Sequence, residues 1–429
     1  MVTTTQNPTV STQQRDEATN SAPLIIVTIL FFMWGLLTSL NDVLIPHLKA
    51  IYTLTYVQAM LVQFCFFGAY FIVSVPAGLL VKKIGYQRGA VAGLVVAATG
   101  CALFYPAANS GYWSFLFAFF VLAAGITILQ VAANPYVTVL GDPKTASSRL
   151  TLTQAFNSLG TTIGPWLGGM LILSGVMMAA TDLNRLSPGE QLAQRAAEAA
   201  SVQIPYLALG AALIGLAVFF ALARLPKIVD AERQEVARDL PSIFAHRHLV
   251  LGAIGIFVYV GGEVSIGSFL INFFGENHIA ALKPAEAAKY VSFYWGGAML
   301  GRFIGFAVMR TVSPGKTLAL NAGVAILLIT IAATTSGALA MWAIIAVGLF
   351  NSIMFPTIFS MALSKLGPQT SQGSGILCMA IVGGALVPFA QGFLADTIGL
   401  QPSFFLPAAC YGFILYFGLK YAGMYRAKE

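Results

Sequence analysis

The stretch FFMWGLLTSLNDVLIPHL, residues 31–48, is apolar up to Thr38, then places Asn41 and Asp42 side by side before apolar residues resume. A helix of this composition, rising 1.5 Å per residue, suits the roughly 30 Å hydrocarbon layer of a bilayer. A carboxylate inside such a helix costs about 2.5–3.5 kcal/mol on insertion scales. The rest of the chain makes that cost conspicuous: 9% of its 429 residues are charged and 58% are hydrophobic. A soluble domain carries roughly 25% charged residues, so the composition fits lipid as the solvent.

Apolar segments long enough to cross as helices fall at 23–48, 57–81, 89–107, 112–140, 149–176 and 202–224. A second set falls at 248–275, 286–310, 316–335, 339–364, 371–395 and 402–423. Between the sets lies RLPKIVDAERQEVARDLPSIFAHRH, residues 224–248, bounded by prolines and alternating in charge. The expected fold is therefore an all-α membrane protein, with twelve transmembrane helices in two six-helix bundles. Its parts are a disordered cytoplasmic tail (1–21), an N-terminal bundle (22–224), a cytoplasmic linker (225–247), a C-terminal bundle (248–424) and a short cytoplasmic tail (425–429). Residues 1–21 are polar, without the basic-then-apolar pattern of a signal peptide.

The two halves echo each other. GITILQVAANPYVTVLG (125–141) and GLFNSIMFPTIFSMALSKLG (348–367) both run from a glycine through a polar residue and a mid-helix proline to a second glycine. PAGLLVKKIGYQRG (76–89) and GRFIGFAVMRTVSPGK (301–316) both pass into a short basic loop. Paired six-helix repeats are the architecture of carriers that bind their cargo at mid-membrane between the repeats. With the N-terminus inside, all the basic residues but Lys49, Arg185, Arg195, Lys283 and Lys289 fall on the inner side. The positive-inside rule then puts both termini in the cytoplasm. On the outer side, Ser187 followed by Glu190 has capping-box spacing and predicts a short surface helix.

Several chemistries are disfavoured. The net charge of +7 is scattered through short loops rather than along one face, which argues against nucleic acid. Cys65, Cys101, Cys378 and Cys410 lie in apolar runs without CxxC spacing and read as buried free thiols. No GxxxxGK[ST] loop is present, and the four histidines lack metal-site spacing, so neither a nucleotide, a metal nor another cofactor is expected.

Two acids stand inside spans, Asp42 in the first and Glu263 in the seventh, at corresponding places of the two repeats. Intramembrane carboxyls of this kind pair structurally or line a wet cavity and exchange protons. Around them stand amides: Gln130 and Asn134 on one face of the fourth span, Gln154 and Asn157 on the fifth, and Gln63, Asn321, Asn351 and Gln391 elsewhere. Carboxamides both donate and accept, which suits sugar hydroxyls, while any single one also serves as helix–helix glue. Trp34, Tyr294, Trp295 and Phe355 supply aromatic surface for the apolar face of a pyranose or for packing.

The runs LNDVLIPHL, GAYFIVSVPAGLLVKKIGY, AANPYVTVLG, RLTLTQAFNSLG, YVGGEVSIGSFL and FPTIFSMAL resemble the fucose–galactose–glucose:proton symporter family of the major facilitator superfamily. The resemblance covers nearly the whole chain beyond residue 21. It implies alternating access, a centrally bound sugar and proton coupling, with the family's aspartate falling on Asp42 and its asparagine on Asn157. It also shows departures. Gln130 stands where fucose permeases carry glutamate, Glu263 where they carry glutamine, and Phe355 where they carry tyrosine; Lys82 replaces the usual acid of the loop motif.

Residues and resemblance together lead to one expectation: proton symport of a hexose or N-acetylhexosamine by a monomer of the cytoplasmic membrane. Asp42 and Glu263 are the expected proton-coupling acids. Trp34, Gln130, Asn134, Asn157, Glu263, Trp295, Asn351 and Phe355 are the expected sugar contacts, and Arg302 is either a gating counter-charge or an inner-end anchor. The alternatives are sodium coupling, an exporter of the same fold, and a membrane-embedded enzyme, the last disfavoured by the lack of any His/Asp/Glu cluster.

Overall fold

A computed structural model describes residues 22–52, 56–168, 187, 189–190, 202–226 and 242–424. Within these, the side chains of 39–52 and 56–63, Asp42 and Gln63 among them, fall outside the described ones. The regular structure is helical throughout, with no strand among the described residues. That follows from the solvent: lipid offers no hydrogen bonds, so each spanning segment must satisfy its own backbone.

Chain order gives α1 (Ala22–Tyr52), α2 (Tyr56–Ile84), α3 (Tyr86–Ser110), α4 (Tyr112–Val139), α5 (Ala146–Gly168) and α6 (Gln203–Leu222). The second half has α7 (Arg247–Gly275), α8 (Pro284–Val308), α9 (Pro314–Thr334), α10 (Gly337–Asn351), α11 (Met354–Leu363), α12 (Thr370–Met379), α13 (Gly383–Ile398) and α14 (Phe405–Lys420). Helices α10–α11 and α12–α13 each make one expected span. Nine described segments are long and apolar enough to cross a membrane; α1, α5 and α8 stand at the other three expected positions. Single glycines make the tightest joints. Gly85 and Gly111, at φ +85° and +89°, link α2–α3 and α3–α4 with one residue each, in a region that L side chains rarely enter.

The capping box at Ser187 is formed. The Ser187 backbone N–H and hydroxyl donate to Glu190 Oε2 at 2.9 and 2.7 Å, and the Glu190 N–H donates to Ser187 Oγ at 3.4 Å. These bonds hold the Glu190 carboxyl below its usual range. The helix expected beyond Glu190, and the linker at 227–241, lie outside the described residues.

Within the first half, α3 packs on α4 and α6, α1 on α5, and α2 on α4; within the second, α9 packs on α14, α8 on α10, and α7 on α13 and α14. The halves meet through α2 against α12, α5 against α8 and α11, and α4 against α12. Exchanging the repeats turns the contact between spans two and eleven into that between spans eight and five. The interface is thus self-complementary, like a two-fold dimer contact. Backbone meets backbone where α2 crosses α12: a Cβ on Gly78 would lie 2.8 Å from the Ser371 carbonyl oxygen, and one on Gly375 2.7 Å from that of Ser74.

The repeated prolines have different local outcomes. Pro135 stays inside a continuous α4, whereas the tenth span breaks at Ser352–Ile353 ahead of Pro356, where a single helix is the simpler expectation. Both prolines lack the N–H that would bond the carbonyl four residues back. Those carbonyls are reused. Val131 O accepts from the Ser374 hydroxyl at 2.9 Å, and Ser352 O from Arg302 Nε at 3.2 Å.

Candidate functional site

A cavity of about 500 Å³ lies between the halves, lined by α1, α2, α4 and α5 from one side and α7, α8 and α11 from the other. Its seal is polar. Ser147 Oγ pairs with Ser360 Oγ at 2.6 Å, Ser148 donates to the Phe306 carbonyl at 2.7 Å, and Ser374 to that of Val131. These contacts lie toward the end holding the 2–3, 4–5, 8–9 and 10–11 loops, here called the basic end for Lys82, Lys83, Lys144, Arg310 and Lys316.

Six of the eight expected sugar contacts come together on this cavity: Trp34, Gln130, Asn157, Glu263, Trp295 and Phe355. Each is placed by its helix. Gly35 on α1 and Gly160 on α5 let the two backbones touch, since a Cβ on Gly35 would sit 2.0 Å from the Asn157 carbonyl oxygen. The close crossing brings Asn157 Nδ2 within 2.9 Å of the Phe31 carbonyl, to which it donates. Gln130 donates through Nε2 to the Tyr70 hydroxyl of α2, while its Oε1 has no partner among the described residues. On α7, Gly267 leaves room for the Trp295 indole, whose edge would lie 3.1 Å from a Cβ there. Phe355 stacks on Phe359 at 5.6 Å, fixing the wall opposite.

Glu263 sits half-buried on the cavity wall, with Oε1 free of any hydrogen-bond partner among the described residues. The Tyr259 hydroxyl, one turn earlier, is unpartnered too. The two groups act on each other without meeting in a regular hydrogen bond, and Arg302 on α8 is the cation whose field reaches the carboxylate. Arg302 is not an inner-end anchor. It lines the cavity, donates to the Ser158 hydroxyl, and reaches the Gln154 carbonyl at 3.3 Å, both in the opposite half.

The other expected residues lie elsewhere. Asn351 is buried off the cavity, its Nδ2 donating to the Tyr294 hydroxyl at 2.6 Å and the Tyr411 hydroxyl at 3.3 Å. Asn134, one turn from Gln130, is fully buried behind the lining, with neither amide atom partnered among the described residues. Asn321 bonds its own helix at the Thr317 carbonyl, and Gln391 donates to Ser403; these two are glue. The helix α1 runs through Asp42, one turn beyond the cavity residue Thr38, but the Asp42 side chain lies outside the described residues. Tyr70, Tyr259 and Ser158 were not legible as site residues. The available signal for Tyr259 is its i, i+4 spacing from the span's only acid.

A family model described as Major Facilitator Superfamily matches residues 26–380. A "Glucose/galactose transporter" of Brucella abortus is 57% identical over 416 residues, covering 97% of both chains. A "Putative glucose/galactose transporter" of Helicobacter pylori is 48% identical, covering 94% of this chain and 98% of its own. The "L-fucose-proton symporter" of Escherichia coli is 36% identical over 92% of each. Among solved structures, a crystal structure of the transporter FucP in the outward conformation superposes with a TM-score of 0.83 at 34% identity, covering 93% of this chain and 98% of that one.

Proposed function

Because the chain belongs to the Major Facilitator Superfamily, a group of multi-pass membrane transporters, we propose that it imports a hexose or N-acetylhexosamine by proton symport with alternating access. Glucose, galactose and N-acetylglucosamine are the favoured cargoes. The relatives named for glucose and galactose support a hexose, and the proton symporter supports the coupling ion. The protein works as a monomer in the inner membrane, with both termini cytoplasmic.

One observation carries the reading. Four polar atoms without a hydrogen-bond partner among the described residues, Gln130 Oε1, Gln154 Nε2, Tyr259 Oη and Glu263 Oε1, belong to residues from both halves that face one cavity walled by Trp34, Trp295 and Phe355. The set mixes donors and acceptors, as alternating hydroxyls on a ring require. The aromatic faces suit the ring's C–H surface. The volume lies within the roughly 300–1,000 Å³ of small-molecule sites. Because the contacts come from both halves, a bound sugar favours their approach and couples binding to the change of access.

Coupling follows from the cost of enclosing charge. An ionised Asp42 or Glu263 resists enclosure in apolar surroundings unless neutralised or paired. Asp42 takes the coupled proton, so that closure over the sugar proceeds from the neutral form. Glu263 stays ionised, paired through space with Arg302, and accepts from sugar hydroxyls. Asn134 is reached only when the halves part at the basic end. The state described, sealed at that end, is the outward-facing one.

Radiolabelled sugars offered to proteoliposomes under imposed proton or sodium gradients test this directly. Uptake of a hexose should accelerate with an inward proton gradient and ignore sodium. Sodium-dependent uptake, or uptake of no sugar in a panel, would sink the proposal.

A further inference from the structure

The cavity between the halves is not the only hollow. A second, of about 480 Å³, runs along the outside of the C-terminal half between α9 and α14. It is a furrow. Gly323 forms an open floor, where a Cβ would meet nothing within 4 Å, and Leu320, Leu327, Leu415 and Leu419 form its banks. Leu320 and Leu419 are 67% and 62% exposed, as lipid-facing residues are. At the basic end the furrow stops at Lys316. There Gly315 and Gly418 bring the helices together, with a Cβ on Gly315 only 2.8 Å from the Gly418 carbonyl oxygen.

Charge decides what such a furrow holds. Between Ala287 and Ala395 the chain has no acid, and none between Thr397 and Lys428. Lys316 therefore stands at the end of an apolar groove with no carboxylate on its own helix. Next to the groove residue Leu419, Lys420 holds its ammonium 2.7 Å from the Tyr416 hydroxyl and above the Tyr416 and Tyr421 rings. Inside a bilayer every lipid chain fits an apolar groove about equally well, because burying it from other chains gains little. The headgroup supplies the selection, and clustered lysines at the membrane surface select negative charge.

We propose that this furrow is a binding site for an anionic phospholipid of the leaflet at the basic end. One acyl chain lies over Gly323 between the leucine banks. The phosphate sits against Lys316, with Lys420 adding to the positive field. Lysine suits this role as a point charge that needs no fixed donor geometry. The site acts on the C-terminal half alone, since α9 packs on α14 and α10 and, among the described residues, makes no extensive contact with the first half.

Native mass spectrometry of the purified full chain, incubated with phosphatidylglycerol or with phosphatidylcholine of the same acyl chains, tests the site. The unmodified protein should retain phosphatidylglycerol severalfold better. Lys316→Gln should cut that preference at least threefold while leaving retention of phosphatidylcholine unchanged. Gly323→Leu, which fills the floor and keeps both lysines, should lower retention of both lipids. Lys365→Asn, at the same end but away from the furrow, should change nothing. Equal retention of the two lipids, an unaltered preference in Lys316→Gln, full retention in Gly323→Leu, or an equal loss in Lys365→Asn would each overturn the proposal.

Discussion

The Ser374 hydroxyl of the C-terminal half donates to the Val131 carbonyl of the N-terminal half at 2.9 Å, and Val131 is the residue whose helical partner Pro135 removes. A proline inside a membrane helix thus leaves an acceptor that only the other half satisfies while the seal is shut. When the halves part, water takes over. Ser374→Ala strands the carbonyl in the sealed state alone, so it should shift the equilibrium toward the parted state. An interhelical hydrogen bond in a membrane contributes about 0.6–2 kcal/mol, which corresponds to roughly threefold or more. The effect should shrink by at least half in a Pro135→Ala background, where the carbonyl regains a helical donor. Spin-label distances between the 2–3 and 10–11 loops measure it; equal shifts in both backgrounds would separate the serine from the proline.

Gln130 and Asn157 each offer the cavity one side of an amide. Gln130 is tethered through its NH2 group to Tyr70, and Asn157 through its own to the Phe31 carbonyl. Alanine at either should weaken sugar binding by about 1–3 kcal/mol, the cost of leaving hydroxyls without partners. Tyr70→Phe keeps the amide but frees it to rotate, so it should cost less than Gln130→Ala. Sugar titrations on folded protein give the ranking; a Tyr70→Phe loss larger than that of Gln130→Ala would make Tyr70 the direct contact.

Much of this arrangement is written in one dimension, and the limits have physical causes. The spans and their six-plus-six grouping are legible because lipid imposes length and apolarity on every helix. Glu263 and the cavity amides are legible because polarity inside such a helix is costly and therefore conspicuous. Asn351 is equally conspicuous, yet its NH2 group is taken by Tyr294 and Tyr411 away from the cavity, and nothing in the spacing tells glue from contact. Tyr70 and Tyr259 escape for the opposite reason: a tyrosine is ordinary in an apolar helix until its hydroxyl is seen to face a cavity. Arg302 lies nearer the inner end by counting, but the break before Pro356 exposes the carbonyl that turns it inward.

Asp42→Asn should abolish uptake driven by a pH gradient and leave exchange of sugar across equal gradients measurable, since a fixed neutral side chain permits closure but carries no proton. Counterflow and gradient-driven uptake in the same vesicles separate the two. Gradient-driven uptake near the wild-type rate would remove Asp42 from the coupling role.

Glu263→Gln keeps the shape of the side chain and removes its charge. Charge-assisted hydrogen bonds are about twice as strong as neutral ones, so affinity for sugar should fall severalfold. The remaining transport should still respond to pH and still carry protons, because Asp42 is intact. Full affinity combined with lost proton movement would exchange the roles of the two acids. Two coupled titrations in the wild type that collapse to one in the variant would show that both acids take part.

The crossing of Gly78 over Gly375 has a consequence for how the protein tolerates change. At that point two peptide backbones meet with no side chain between them. Nothing there must swing out of the way before the halves separate, and their separation uncovers peptide groups that water solvates readily rather than oily surface. A single methyl added to either glycine would act as a wedge: it prevents this contact and leaves the parted form unhindered. Mutational drift at this spot is therefore one-directional, able to bias the molecule away from the sealed form while every residue facing the cavity stays as it is.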